Sequence, residues 1–237
     1  MKKILIVAFI FFASGCETAQ QVLNSLPNST GGLTTQEIVS GLKEALTIGT
    51  QNGTNKLSAV NGFFANDAVK ILMPPQAQKV ESTLRGVGLG KVVDQAVESM
   101  NHAAEDAATK ATPIFVNAIK QMTITDALGI LRGGDTAATN YFRRKTTDQL
   151  TGAFRPVVDK ALEKVNATKY WSDVFTVYNK FSTTPVNTDL GAYVTQRAID
   201  GIFYEVGQEE KKIRQDPAAR VTDILKKVFG SAQAKQG

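Results

Sequence analysis

One cysteine, one histidine and one tryptophan in 237 residues exclude a good deal of chemistry. Cys16 on its own forms no intramolecular disulfide and no cysteine metal site. His102 on its own rules out a two-histidine metal centre. A Ser-His-Asp triad would have to recruit His102, which lies in a helical pattern, and no Gly-x-Ser-x-Gly elbow exists to present a serine. The net charge of +5 is small for this length, too small for a nucleic-acid footprint. No run is apolar for the roughly 20 residues that a helix needs to cross a hydrocarbon core. No residue set calls for a cofactor. The glycine-rich stretch Gly86-Val87-Gly88-Leu89-Gly90-Lys91 precedes a helix, whose N-terminal amides could meet an anion. It lacks the spacing of a phosphate-binding loop and the strand before it, so it reads as a turn.

What is present begins at the N-terminus. Lys2 and Lys3 precede the apolar run from Ile4 to Phe12, and the small residues Ala13, Ser14 and Gly15 lead into Cys16. This is the pattern of a lipoprotein signal over 1–15, cleaved between Gly15 and Cys16, with Ala13 where such boxes usually carry Leu. The small residues admit the peptidase, and the thiol accepts diacylglycerol. One acyl chain binds a membrane marginally and two or three hold stably, so lipidated Cys16 makes the membrane a permanent partner. Removal of Lys2 and Lys3 leaves a charge near +3. Glu17, where an inner-membrane retention signal would carry Asp, favours the outer membrane. The absence of an acidic run after Cys16 favours its periplasmic face. Residues 16–32, rich in Gln, Asn, Ser, Thr and Gly, read as a flexible tether.

From Leu33 the patterning is helical. Thr34 and Glu37 form a capping box for a helix to about Ile48. Asn52, Gly53 and Gly62 interrupt the next stretch, and Met73-Pro74-Pro75 breaks the chain before a restart at Gln76. Val92, Val93, Ala96, Val97, Met100 and Ala104 recur at three- and four-residue spacing in a helix from Leu89 to Ala111. Pro113 closes that helix or opens the next. Thr123 caps a short helix through Leu131, and Gly133-Gly134-Asp135 stops the chain and caps a helix to about Phe154. Pro156–Val165 and Lys169–Phe181 read as two more, separated by a loop at Ser182–Thr188 from the longest pattern, Asp189–Gln215. Asp216-Pro217 ends it, and a final helix is expected to bury Val221, Ile224, Leu225, Val228 and Phe229 before Gly230. No stretch alternates with period two, so the expected fold is all-α: one bundle-like domain over 33–230, with 231–237 as a disordered tail.

The segments Met100–Glu105 (MNHAAE), Asp126–Arg143 (DALGILRGGDTAATNYFR) and Tyr193–Gly230, in that order, resemble domain-of-unknown-function family 4197. The likeness runs from Leu33 to Gly230. It implies an exported, often lipid-anchored helical envelope protein and supplies no activity, cofactor or catalytic residue.

Charge offers few candidate sites. Glu210 and Arg214 can pair four residues apart on an exposed helix face, worth roughly 0.2–0.5 kcal/mol. A polar groove is the functional alternative, with Glu105, Asp126, Arg132 and Glu210 the residues of interest and Glu205, Glu209 and Arg220 able to join it. Arg143, Arg144 and Lys145, or Lys226 and Lys227, could face anionic lipid headgroups at about 1 kcal/mol each. The aromatics gather in the second half, from Tyr141 to Tyr204, and at helical spacing read as core. The residues therefore support a binding or scaffolding module with an envelope protein partner. A carrier of a lipid or other small hydrophobic ligand between its helices stands as the alternative, and a hydrolase comes last. The anchor is directly testable: Cys16→Ala should abolish both incorporation of labelled palmitate and membrane fractionation. Persistence of either would refute the assignment.

Overall fold

The computed structural model describes residues 33–180, 182, 183, 185, 187–231 and 234. The signal segment, the Gly15-Cys16 cleavage site, the tether and most of the expected tail lie outside the described residues. Among the described residues all regular structure is helical.

Helix α1 (Thr35–Ser58) opens on the expected box: the Thr34 hydroxyl accepts from Glu37 N at 3.2 Å while the Glu37 carboxylate accepts from Thr34 N at 2.8 Å. It then runs ten residues beyond Ile48, through Asn52 and Gly53. Tertiary packing explains the difference. A Cβ on Gly53 would lie 3.3 Å from the backbone nitrogen of Val206, so the glycine permits a close helix crossing that outweighs its poor propensity. Asn52 meanwhile donates to Glu209 at 3.1 Å.

An irregular stretch from Ala59 to Pro74 leads through a 3-10 turn (Pro75–Ala77) into α2 (Gln78–Gly86). A turn containing Gly88, at φ +82°, joins α2 to α3 (Gly90–Ala108). Then come α4 (Ala111–Lys120), which contains Pro113 in its first turn, and α5 (Ile124–Arg132). Helix α6 (Ala137–Lys164) merges two expected helices by running straight through Pro156. Pro156 lacks the N–H that would bond Gly152, but Thr151, Gly152 and Pro156 all face solvent, where water replaces the lost partner. Helix α7 (Ala167–Asn179) precedes the loop to α8 (Leu190–Gln215), whose first turn is capped by the Asp189 carboxylate accepting from Ala192 N at 2.9 Å. A second 3-10 turn (Pro217–Ala219) leads to α9 (Asp223–Gly230). Val221 falls before α9 and is exposed rather than buried, while Leu225, Val228 and Phe229 enter the core.

Helix α8 lies between α1 and α6, and α3 covers α6 and α8. The contiguous core runs from Ile38 to Phe229 and includes Leu42, Phe115, Phe142, Phe154 and Phe203. The irregular stretch is held on this frame by polar side chains. Asn101 accepts from Ile71 N and donates to Ile71 O, both at 2.8 Å, satisfying a backbone position as a neighbouring strand would. Tyr193 donates to Leu72 O at 2.8 Å.

The corner between α5 and α6 has a remote cap. Thr136 provides no side-chain cap for α6. Instead Glu210 of α8 accepts from Ala138 N at 2.8 Å and from Thr139 N and Oγ1 at 2.9 and 2.8 Å. Arg214 pairs with Glu210 at 3.0 Å and donates to the last carbonyls around α5, Ile130 O, Leu131 O and Gly133 O. The pair is buried rather than solvated: the side chains are 5% and 10% exposed. Glu210→Ala would strand Arg214 and two amides, and should lower unfolding stability by about 3–5 kcal/mol in urea titration. A loss below about 1 kcal/mol, the range of an exposed pair, would contradict this role.

Candidate functional site

Between α2, α3 and α7 lies a cavity of about 480 Å³, within the roughly 300–1,000 Å³ range of small-molecule sites. Its walls follow from helical spacing. Val80 and Leu84, four apart on α2, form one side. Val92, Val93, Ala96 and Met100 of α3 form the floor. Trp171 and Phe175, four apart on α7, form the other side, their ring centroids 4.3 Å apart. The Trp171 indole donates to Asn187 O at 2.9 Å, which fixes the ring.

The lining reaches solvent at a rim of apolar residues. Val92, Tyr170 and Val174 are 56%, 62% and 46% exposed. Apart from the Tyr170 hydroxyl and the Trp171 N–H on α7, the polar groups are Gln95, Glu98 and Ser99, all on α3. Among the described residues lining the cavity there is no lysine or arginine, so nothing in the wall pairs with an anion. Helix α2 buries none of its own residues and packs mainly on α3, so it behaves as a cover and adds little to the core.

The residues singled out by charge serve elsewhere. Glu105 is buried, and its carboxylate accepts from Asn61 N, Phe63 N and Phe64 N at 3.0–3.2 Å. It thereby clamps the turn after α1, where Asn61 adopts φ +62°. Asp126 is the capping-box partner of Thr123 at the exposed start of α5, and its hydrogen bonds to Thr123 hold its carboxyl below the usual carboxylate range. Arg132 is exposed in the last turn of the same helix. Glu210 caps α6. These four lie apart: Glu105 at an inner turn, Asp126 and Arg132 at the start and end of α5, and Glu210 at the α6 corner. Nor do the other three converge: Glu205 pairs with Lys56 at 2.8 Å and accepts from Asn66 at 2.9 Å, Glu209 accepts from Asn52, and Arg220 donates to Ile213 O and Arg214 O.

His102 joins its neighbours on α3: Nδ1 lies 2.8 Å from Glu105 Oε2 and Nε2 lies 3.5 Å from Glu98 Oε1. Among the described residues its polar partners are carboxylates, with no serine, threonine or cysteine nucleophile. No group of three or more His, Cys, Asp or Glu residues among the described ones could hold a metal ion. No single described helix is long and apolar enough to cross a membrane.

Sequence reasoning missed the cavity as a site, although its parts carried a signal. The apolar stripe on α3 includes Val92 and Ala96 as well as the buried Val93, Val97, Met100 and Ala104, wider than one neighbour covers. Tyr170 and Trp171 stand side by side on α7 and both line the cavity, Trp171 buried in the wall and Tyr170 exposed at the rim.

The chain is thus an all-α domain with an apolar cavity at its periphery and structural carboxylates in its interior. It belongs to the DUF4197 family of proteins of unknown function, whose model matches residues 32–230. No curated protein and no solved structure matches it.

The hydrogen bond to Glu105, aided by the charges of Glu105 and Glu98 and opposed by burial, raises the His102 pKa above 6.5. A raised folded value means that the protonated pair stabilises fully below the unfolded pKa of about 6.5 and that this is lost as pH rises through the folded value. The stability difference between wild type and His102→Gln should therefore shrink on going from pH about 5.5 to pH about 8.5. A pH-independent difference would refute the charged pair.

Proposed function

We propose that this chain is a lipid-anchored protein of the bacterial envelope, held through Cys16 at the periplasmic face of the outer membrane, that binds a small hydrophobic molecule between α2, α3 and α7. The cavity of about 480 Å³ with Trp171, Phe175, Val80 and Leu84 in its walls is the observation that carries this reading. A scaffold would bury such side chains in a filled core and offer a flat or grooved face to its partner. Here they line space, and the removable wall is α2, a short helix with none of its residues buried. A hydrolase would need perturbed carboxylates converging with a base in a cleft, whereas Glu105 and Glu210 are committed to backbone amides.

Native mass spectrometry of the purified full-length chain, followed by denaturing extraction, tests binding. The expected result is a stoichiometric apolar ligand, or saturable uptake of monolaurin as a probe. Ala96→Trp, which places an indole inside the cavity, should weaken uptake about tenfold or more, corresponding to a loss of about 1.4 kcal/mol. An apo mass with no uptake of the probe would contradict the reading.

A further inference from the structure

Helix α2 walls a second cavity with the adjacent face. This one, of about 270 Å³, lies between α2, α3 and the irregular stretch, and Met73 lines both cavities. Its character is different: Lys70, Gln78, Glu81, Arg85 and Asp94 line it. Arg85 bridges two carboxylates, reaching Glu81 Oε1 and Asp94 Oδ1 at 2.9 Å each. That triad carries one net negative charge. Lys70 is half-buried, with its ammonium 4.1 Å above the Phe64 ring centroid and no ion pair to any described residue. The polar cavity thus holds a surplus cation on one side and a surplus anion on the other.

We infer that the polar cavity is the headgroup subsite of the same ligand site, and that it takes a zwitterionic phospholipid head while the acyl chain lies against Trp171. This rests on the proposed binding in the apolar cavity. The head's phosphate meets Lys70, which has no carboxylate to neutralise it, and its ammonium meets Glu81 and Asp94. A chain crossing at Met73 joins the two ends. The apolar cavity has no lysine or arginine, so an anionic head gains nothing by entering there, and in the polar cavity the Glu81–Arg85–Asp94 triad disfavours a second negative charge. An ammonium on the head removes that conflict.

Binding of three lauroyl probes to the full-length chain, below their micelle-forming concentrations, separates the outcomes: lysophosphatidylethanolamine, lysophosphatidylglycerol and monolaurin. The inference requires lysophosphatidylethanolamine to bind tightest. Lys70→Ala should weaken it about fivefold, the scale of a partly exposed ion pair, with monolaurin unchanged. Asp94→Asn, at a largely exposed position, should narrow its preference over lysophosphatidylglycerol without loss of fold by circular dichroism. Equal binding of all three probes with no effect of Lys70→Ala would overturn the headgroup subsite and leave the apolar site standing. Tighter binding of lysophosphatidylglycerol would overturn it too. Failure of every probe, monolaurin included, would overturn the apolar site and the subsite together.

Discussion

Three buried carboxylates, Glu105, Glu205 and Glu210, hold the places where the helices stop. An unpaired amide away from water costs about as much as a lost hydrogen bond or more, so each break in a helical chain needs a partner. Local capping supplies it at Thr34, Thr123 and Asp189. At the turn after α1 and at the α5–α6 corner the partner arrives from α3 and α8. Glu205, itself buried, accepts from the largely exposed Lys56 and from Asn66, and so fastens the end of α1 and the irregular stretch to α8. With these bonds made, α8 can serve as the axis against which α1 and α6 pack.

That economy explains why the acidic residues of the interior are committed to backbone and side-chain donors, while space collects at the edge. The core between α1, α6 and α8 is filled by phenylalanines and leucines. Helices α2 and α7 join it through few neighbours. Their apolar faces turn toward α3 but do not close on it, and the gap is lined by side chains that would ordinarily be driven together by the loss of exposed apolar surface. An apolar molecule bound there, as proposed, would cover that surface.

Much of the fold is legible in the sequence where the signal is local. The Thr34-Glu37 box, the cap at Thr123, the helix start beside Asp189 and the break at Pro74-Pro75 all sit where their residues put them. The rest depends on contacts distant in sequence. Gly53 reads as an interruption until the backbone of α8 is known to lie against it. Pro156 reads as a boundary until Gly152 is seen to face water. Glu210 and Arg214 read as a solvated pair, because nothing local reveals that the ends of two other helices meet them. The cavity was the least legible feature, since its walls look like ordinary amphipathic helices until the distance between them is fixed.

Trp171 is the only tryptophan in the chain and stands in the cavity wall, so its emission reports the site without a label. Titration with a lauroyl glycerol brominated along its chain tests the account most directly. Saturable quenching at one ligand per chain, with uptake weakened about tenfold or more by Ala96→Trp, is the predicted result. Emission that does not change, or that falls without saturating, would contradict an apolar binding site between α2, α3 and α7.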